Sequence, residues 1–144
     1  MTTSAQDRAD IIDVCVRYAR ALDRRDWALL RTCFVDDVSV DYEGMPPIAG
    51  YAALEEVCRG ALGPLDASQH LLGNFTVEVD GDAATCECYL HAQHVKSGTP
   101  GGDKYIVAGT YIDSLRRDAD GEWRIAHRKL AVVWTDGNPG VLGS

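Results

Sequence analysis

Apolar residues recur every three to four positions along the first part of the chain. Ile12, Val16 and Ala19 form a stripe that ends in a charged residue, Asp23, with Ile11, Cys15 and Leu22 beside it. At helical pitch these positions share one face, which predicts a helix over residues 4–22. After Arg24-Arg25-Asp26 comes a shorter amphipathic segment carrying Trp27, Leu30, Cys33 and Phe34. The period then falls to two: Val38-Ser39-Val40-Asp41-Tyr42 alternates as a strand does. Gly44, Pro46, Pro47 and Gly50 make a loop, and Leu54, Val57, Cys58 and Ala61 place a third helix over residues 51–62.

Beyond Gly63-Pro64 the pattern is β throughout. Residues 71–79 and 85–95 flank Asp80-Gly81-Asp82, a strong hairpin signal. Segments 105–115 and 123–134 flank a second turn at Asp120-Gly121, and the tail Asp136-Gly137-Asn138-Pro139-Gly140 reads as irregular. Helices first, then hairpin-joined strands, indicate an α+β fold with N-terminal helices packed on a mostly antiparallel sheet. A strongly curved sheet closed by helices makes a cone-shaped α+β barrel with an interior pocket. At 144 residues, with no repeat and no linker, residues 1–144 are expected to form one domain.

The net charge of −8 argues against nucleic acid and against an anionic membrane surface as partners. No apolar run reaches the length of a transmembrane helix, and the first residues lack the basic start and apolar stretch of a signal peptide. A cytoplasmic protein is therefore expected. Five cysteines, mostly within apolar patterns, fit reduced core thiols better than a disulfide framework. Cys86 and Cys88 share a strand face, but no second pair completes a zinc set. His91 and His94, three apart in a strand, point to opposite faces and cannot readily share an ion. No metal is expected. Glycine-rich phosphate loops and nucleophile elbows are absent, so no cofactor is expected either. What remains is acid–base chemistry.

Two polar residues stand in otherwise apolar stretches. Asp23 closes the apolar stripe of the first helix, and His70 opens the apolar segment Gln69-His70-Leu71-Leu72-Gly73-Asn74-Phe75. An inward carboxylate requires a partner, and an imidazole hydrogen-bonded to it is an oriented general base. The alternatives are a solvent-facing Asp23 at a helix end and a core His70 satisfied by a backbone carbonyl. Arg128, between His127 and Lys129, is either on a solvated basic face or turned inward onto a carboxylate, with Asp23 the candidate. On the strand 85–95, Glu87, Tyr89, His91 and Gln93 share one face, opposite Cys86, Cys88, Leu90 and Ala92. The polar face is expected to form a pocket wall, with Tyr89, Tyr105 and Tyr111 as further wall candidates.

The segments Tyr18-Ala19-Arg20-Ala21-Leu22-Asp23-Arg24-Arg25-Asp26-Trp27, Cys33-Phe34-Val35-Asp36-Asp37-Val38, Gln69-His70-Leu71-Leu72-Gly73-Asn74 and Gly121-Glu122-Trp123-Arg124-Ile125-Ala126-His127-Arg128 resemble a SnoaL-like domain. That group belongs to the nuclear-transport-factor-2-like superfamily. The resemblance covers nearly the whole chain and extends to the cofactor-free lyases scytalone dehydratase, bile acid 7α-dehydratase and hexachlorocyclohexane dehydrochlorinase. It implies a His70–Asp23 dyad, with Tyr18 and Arg128 completing the catalytic set and His91 in the place of a second histidine. Trp27, Tyr42, Asn74, Tyr89 and His91 are the candidates for contact with substrate. It also implies a homo-oligomer, with a trimer preferred over a dimer.

These readings converge on a cofactor-independent lyase or isomerase, dehydratase-like, that takes a proton from a small, largely apolar carbonyl compound. Two alternatives stand beside it: a non-catalytic small-molecule-binding module, and a small structural subunit of the aromatic-ring dioxygenase type.

Overall fold

The computed structural model describes residues 4–143. Its elements run α1 (Ser4–Arg24), α2 (Trp27–Arg31), β1 (Phe34–Tyr42), β2 (Ile48–Ala49), α3 (Tyr51–Leu62), β3 (Ala67–Asp80), β4 (Ala83–Val95), β5 (Lys104–Arg117), β6 (Trp123–Gly137) and a closing 3-10 turn (Pro139–Leu142). The strands form one six-stranded sheet in the order β2-β1-β6-β5-β4-β3. The β1–β6 pair is parallel and the others are antiparallel. The sheet stays open, with β2 and β3 as its edges, and the helices cover one face to make the cone.

Within α1 the buried stripe is Ile11, Cys15, Tyr18 and Leu22, joined by Val14 and Ala21. This corrects the expected register. Val16 is 37 % exposed, because the stripe through Ile12 and Val16 lies on the flank of the buried face. Asp23 therefore sits at the margin of the apolar contact, where a carboxylate reaches the adjoining strand without losing all its water. That strand is β3, against which α1 packs.

The hairpin at Gly81 joins β3 to β4 with Asp80 opposite Ala83, and Gly81 takes φ 62, which favours glycine. β3 begins at Ala67, before the apolar run that marks it in the sequence, so His70 lies inside the strand rather than at its start. A register shift between Gly73 and Thr76 leaves Asn74 at φ 53 and bends β3 around the helices. The tail is more regular than expected. β6 continues to Gly137, Asn138 caps the 3-10 turn by accepting from the Gly140 amide at 3.0 Å, and Val141 plugs into the core. All five cysteines are free and buried. No helix among the described residues is long and apolar enough to cross a membrane.

Candidate active site

α1, α3 and the inner face of the sheet line an open-mouthed cavity of about 260 Å³. Its wall is mostly aliphatic, with Leu22, Val57, Leu90 and Leu130 among the contributors, and Met45 and Leu142 also line it. Polar groups enter from Tyr18, Tyr42, His70, His94 and Thr135. No lysine or arginine is among the described residues of the lining, and Glu43 is the one carboxylate there. Glu43 accepts a hydrogen bond from the Val132 amide at 2.6 Å. Such a wall suits an uncharged, largely apolar molecule.

Asp23 and His70 meet at this cavity. Along β3, Ser68 and His70 are two residues apart and so face the same way, toward the end of α1. Asp23 Oδ1 accepts from His70 Nδ1 at 2.6 Å and from the Ser68 hydroxyl at 3.2 Å, while Oδ2 accepts from the His70 backbone amide at 2.9 Å. Only 5 % of the His70 side chain is exposed, against 22 % for Asp23. Burial by itself would raise the Asp23 pKa, but the hydrogen bonds from the His70 ring and amide, the attraction of the imidazole and the Ser68 hydroxyl together hold it below its ordinary value. An ionised carboxylate only accepts, so Nδ1 carries the proton and the Nε2 lone pair is left to the cavity.

A second histidine faces the cavity, and it is His94 rather than His91. The ring of His94 meets that of His70 edge to face, 5.8 Å between centroids. Its Nδ1 donates to the Tyr105 carbonyl at 3.0 Å, which fixes the tautomer and turns a second lone pair outward from Nε2. Burial lowers its pKa to about 4, so the ring is neutral at physiological pH. In the same cavity the Tyr18 and Tyr42 hydroxyls are 2.7 Å apart. Burial pushes both phenols well up, so both keep their protons. One proton bridges the pair and the other is available to a ligand oxygen.

Arg128 is fully buried, which removes the solvated-face reading, and its carboxylate is Asp113 rather than Asp23. The two sit directly opposite on β5 and β6, with Nε to Oδ1 and Nη2 to Oδ2 both at 2.7 Å. The guanidinium lies between the Tyr18 and Tyr111 rings, 4.2 and 3.9 Å from their centroids. Nη1 has no hydrogen-bond partner among the described residues, and the ring faces take its charge. Burial pushes the Asp113 carboxyl up, with Arg128 opposing. Arg128 therefore backs the tyrosines from behind instead of lining the cavity.

Other expectations need correction. Tyr89 is 59 % exposed and His91 packs against Trp134 on the outer face of the sheet, centroids 5.4 Å apart. The apolar side of β4, Cys86-Cys88-Leu90-Ala92, is the one that buries, and it carries His94 inward with it. Asn74 is exposed at the β3 bulge. Trp27 opens α2, half-buried beneath the Arg59 guanidinium, 5.0 Å from its ring centroid, and does not line the cavity. Tyr42, Tyr105 and Tyr111 do line it. The parity of His94 with Leu90 and Ala92 was the available signal for the second histidine. Nothing in the pattern alone pairs Asp113 with Arg128. Among the described residues no three His, Cys, Asp or Glu side chains are grouped to hold a metal ion.

The SnoaL-like domain family matches residues 3–129. The chain belongs to that family. Among SnoaL-like relatives, the terrestric acid biosynthesis cluster protein E of Penicillium crustosum is 30 % identical, over 99 % of this chain and 94 % of its own. The structure of the Kfla4162 protein from Kribbella flavida superposes with a TM-score of 0.90 at 29 % identity, covering 99 % of this chain and all of that one (100 %). A hexachlorocyclohexane dehydrochlorinase from Novosphingobium barchaimii LL02 shares the SnoaL-like fold, with a TM-score of 0.80 at 18 % identity over 93 % of this chain and 91 % of that one.

Proposed function

We propose that this SnoaL-like chain is a cofactor-independent lyase or isomerase, dehydratase-like, in which His70 oriented by Asp23 takes a proton from a small, largely apolar carbonyl compound. The observation that carries this is the 2.6 Å contact between Asp23 and His70 Nδ1, on a ring that borders an apolar cavity. Nε2 accepts a proton from the carbon next to the carbonyl, and the electron pair moves onto the carbonyl oxygen. The Tyr18–Tyr42 pair donates to that oxygen as it gains charge. When the enolate re-forms the carbonyl, a β-hydroxyl leaves as water with the proton returned by the imidazolium. Protonation at another carbon instead gives an isomer. Asp23 supports the imidazolium through Nδ1–H without taking its proton. That a fold neighbour is a dehydrochlorinase supports an elimination. Fold likeness sets no substrate, so the site carries the argument.

Two small ketones test it. α-Tetralone reports proton abstraction by exchanging its ring α-protons in deuterium oxide, and β-hydroxy-α-tetralone reports elimination by loss of water to α-naphthol. The protein is expected to accelerate at least one, and His70→Ala and Asp23→Asn are each expected to lose about 10²-fold or more while remaining folded. Wild-type rates in His70→Ala overturn the reading. Binding of these ketones without exchange or elimination makes the chain a binding module.

A further inference from the structure

The end of α1 is closed by an unusual residue. The Asp26 amide bonds to the Ala21 carbonyl at 2.9 Å and the Arg25 amide to the Leu22 carbonyl at 3.2 Å, a Schellman closure with Arg25 in the left-handed position at φ 56. Glycine is the ordinary occupant there, because a Cβ makes that conformation costly. The Arg25 side chain is put to use. Its Nη1 donates to the Leu22 and Asp23 carbonyls at 2.8 and 3.1 Å, and to the Ser68 hydroxyl oxygen at 2.9 Å. Ser68 in turn donates to Asp23 Oδ1.

The hydroxyl has one proton, and the direction it points depends on what holds the oxygen. With Arg25 occupying the oxygen as a donor, the Ser68 proton is committed to Asp23. The position matters because Asp23 faces two ways. His70 borders the cavity, whereas Asp23, Ser68, Gln69 and Gln93 border a separate groove at the edge strand β3. Water in that groove competes for the carboxylate. Ser68 covers Oδ1 from that side while the His70 amide holds Oδ2.

We propose that Arg25 and Ser68 are positioning residues for the His70–Asp23 pair: Arg25 orients the Ser68 proton onto Asp23, and the carboxylate so fixed keeps His70 as the Nδ1–H tautomer with Nε2 free in the cavity. This rests on the reading of His70 as the base only for its effect on turnover. The tautomer itself is a property of the resting protein.

Two-bond proton–nitrogen correlation NMR on the full chain, at a pH of about 8.5 where an ordinary imidazole is neutral, reads the tautomer directly. The wild type is expected to show one protonated and one unprotonated nitrogen, assigned to Nδ1 and Nε2 of His70. In Ser68→Ala the two resonances shift toward each other, as a tautomer mixture averages them, and Ser68→Thr, which keeps the hydroxyl, restores them. Arg25→Gly relieves the left-handed strain but removes the guanidinium, so it separates helix closure from orientation: the same shift is expected in a folded protein. α-Proton exchange in α-tetralone should fall about tenfold in Ser68→Ala and in Arg25→Gly, the scale at which outer-shell partners act. Unchanged His70 resonances in both Ser68→Ala and Arg25→Gly overturn the proposal, whatever the rates do. Wild-type exchange in His70→Ala sinks the catalytic reading alone, and the nitrogen shifts still judge the positioning.

Discussion

A neutral histidine kept in an apolar wall leaves a thermodynamic mark. Burial lowers the His94 pKa to about 4 against an ordinary 6.5, with His70 and Arg25 adding repulsion and the Tyr105 carbonyl and Asp23 opposing it. Between those values the unfolded chain binds a proton that the native state refuses. The stability is thus fully present above about pH 6.5 and is lost as pH falls toward 4, by about 3 kcal/mol over the full window. Urea unfolding at a series of pH values should show a shallower decline in His94→Gln than in wild type, and equal slopes would contradict a buried neutral ring. Arg128 presents the opposite situation, a cation kept charged in the core by Asp113. Arg128→Met leaves that carboxylate buried with only the weak Cys15 thiol donor, 3.7 Å away, as partner, at a cost of about 3–5 kcal/mol in denaturant unfolding. Adding Asp113→Leu should restore much of the loss. If it restores nothing, the guanidinium stabilises mainly through the Tyr18 and Tyr111 faces.

At the scale of elements, the strand pairing contains one close backbone approach that can be tested. β5 and β6 shift register next to Gly109, and a Cβ placed there meets the Ala131 carbonyl oxygen at 2.4 Å. Gly109→Ala should therefore lower stability by about 1–3 kcal/mol, since a carbonyl in a ladder cannot swing aside as a side chain does. Unfolding midpoints check it; an undisturbed Gly109→Ala would mean that β6 slides freely at the bulge. Much of this level was legible in advance. Period-two alternation and the Asp80-Gly81-Asp82 turn marked the hairpins, and period 3.6 marked α1 and α3. The face of an element was harder to read. In α1 two apolar stripes run side by side, and the one through Val16 is the flank. In β4 the polar side looked like a pocket wall, yet hydrophobic burial turned Leu90 and Ala92 inward and brought His94 in place of His91. Contacts such as Asp113 with Arg128, or Arg25 with Ser68, depend on register and on a left-handed residue. Neither leaves a trace in periodicity.

Across the whole molecule the two faces of the sheet differ. One is covered by helices. The other carries Leu71, Tyr89, Val133 and Trp134 around a shallow groove, with Val133 71 % and Leu71 67 % exposed. These residues come from three different strands yet share the groove, so their apolar surface is contiguous rather than scattered, and water disfavours a patch of that kind. β-branched and aromatic side chains on a sheet face are also suited to packing against another such face. A second copy of the chain is the expected occupant of this face if the homo-oligomer implied by the resemblance to SnoaL-like lyases forms. Sedimentation should find a particle larger than the 15.7 kDa monomer. Val133→Glu places a charge on the face of a chain already at net −8, so like charges meet across the contact and the particle should fall to monomer size. Val133 does not line the cavity, so His70-dependent proton exchange should persist in the dissociated form. A wild type that sediments as a monomer removes the expected homo-oligomer. An assembly undisturbed by Val133→Glu moves the contact off this face.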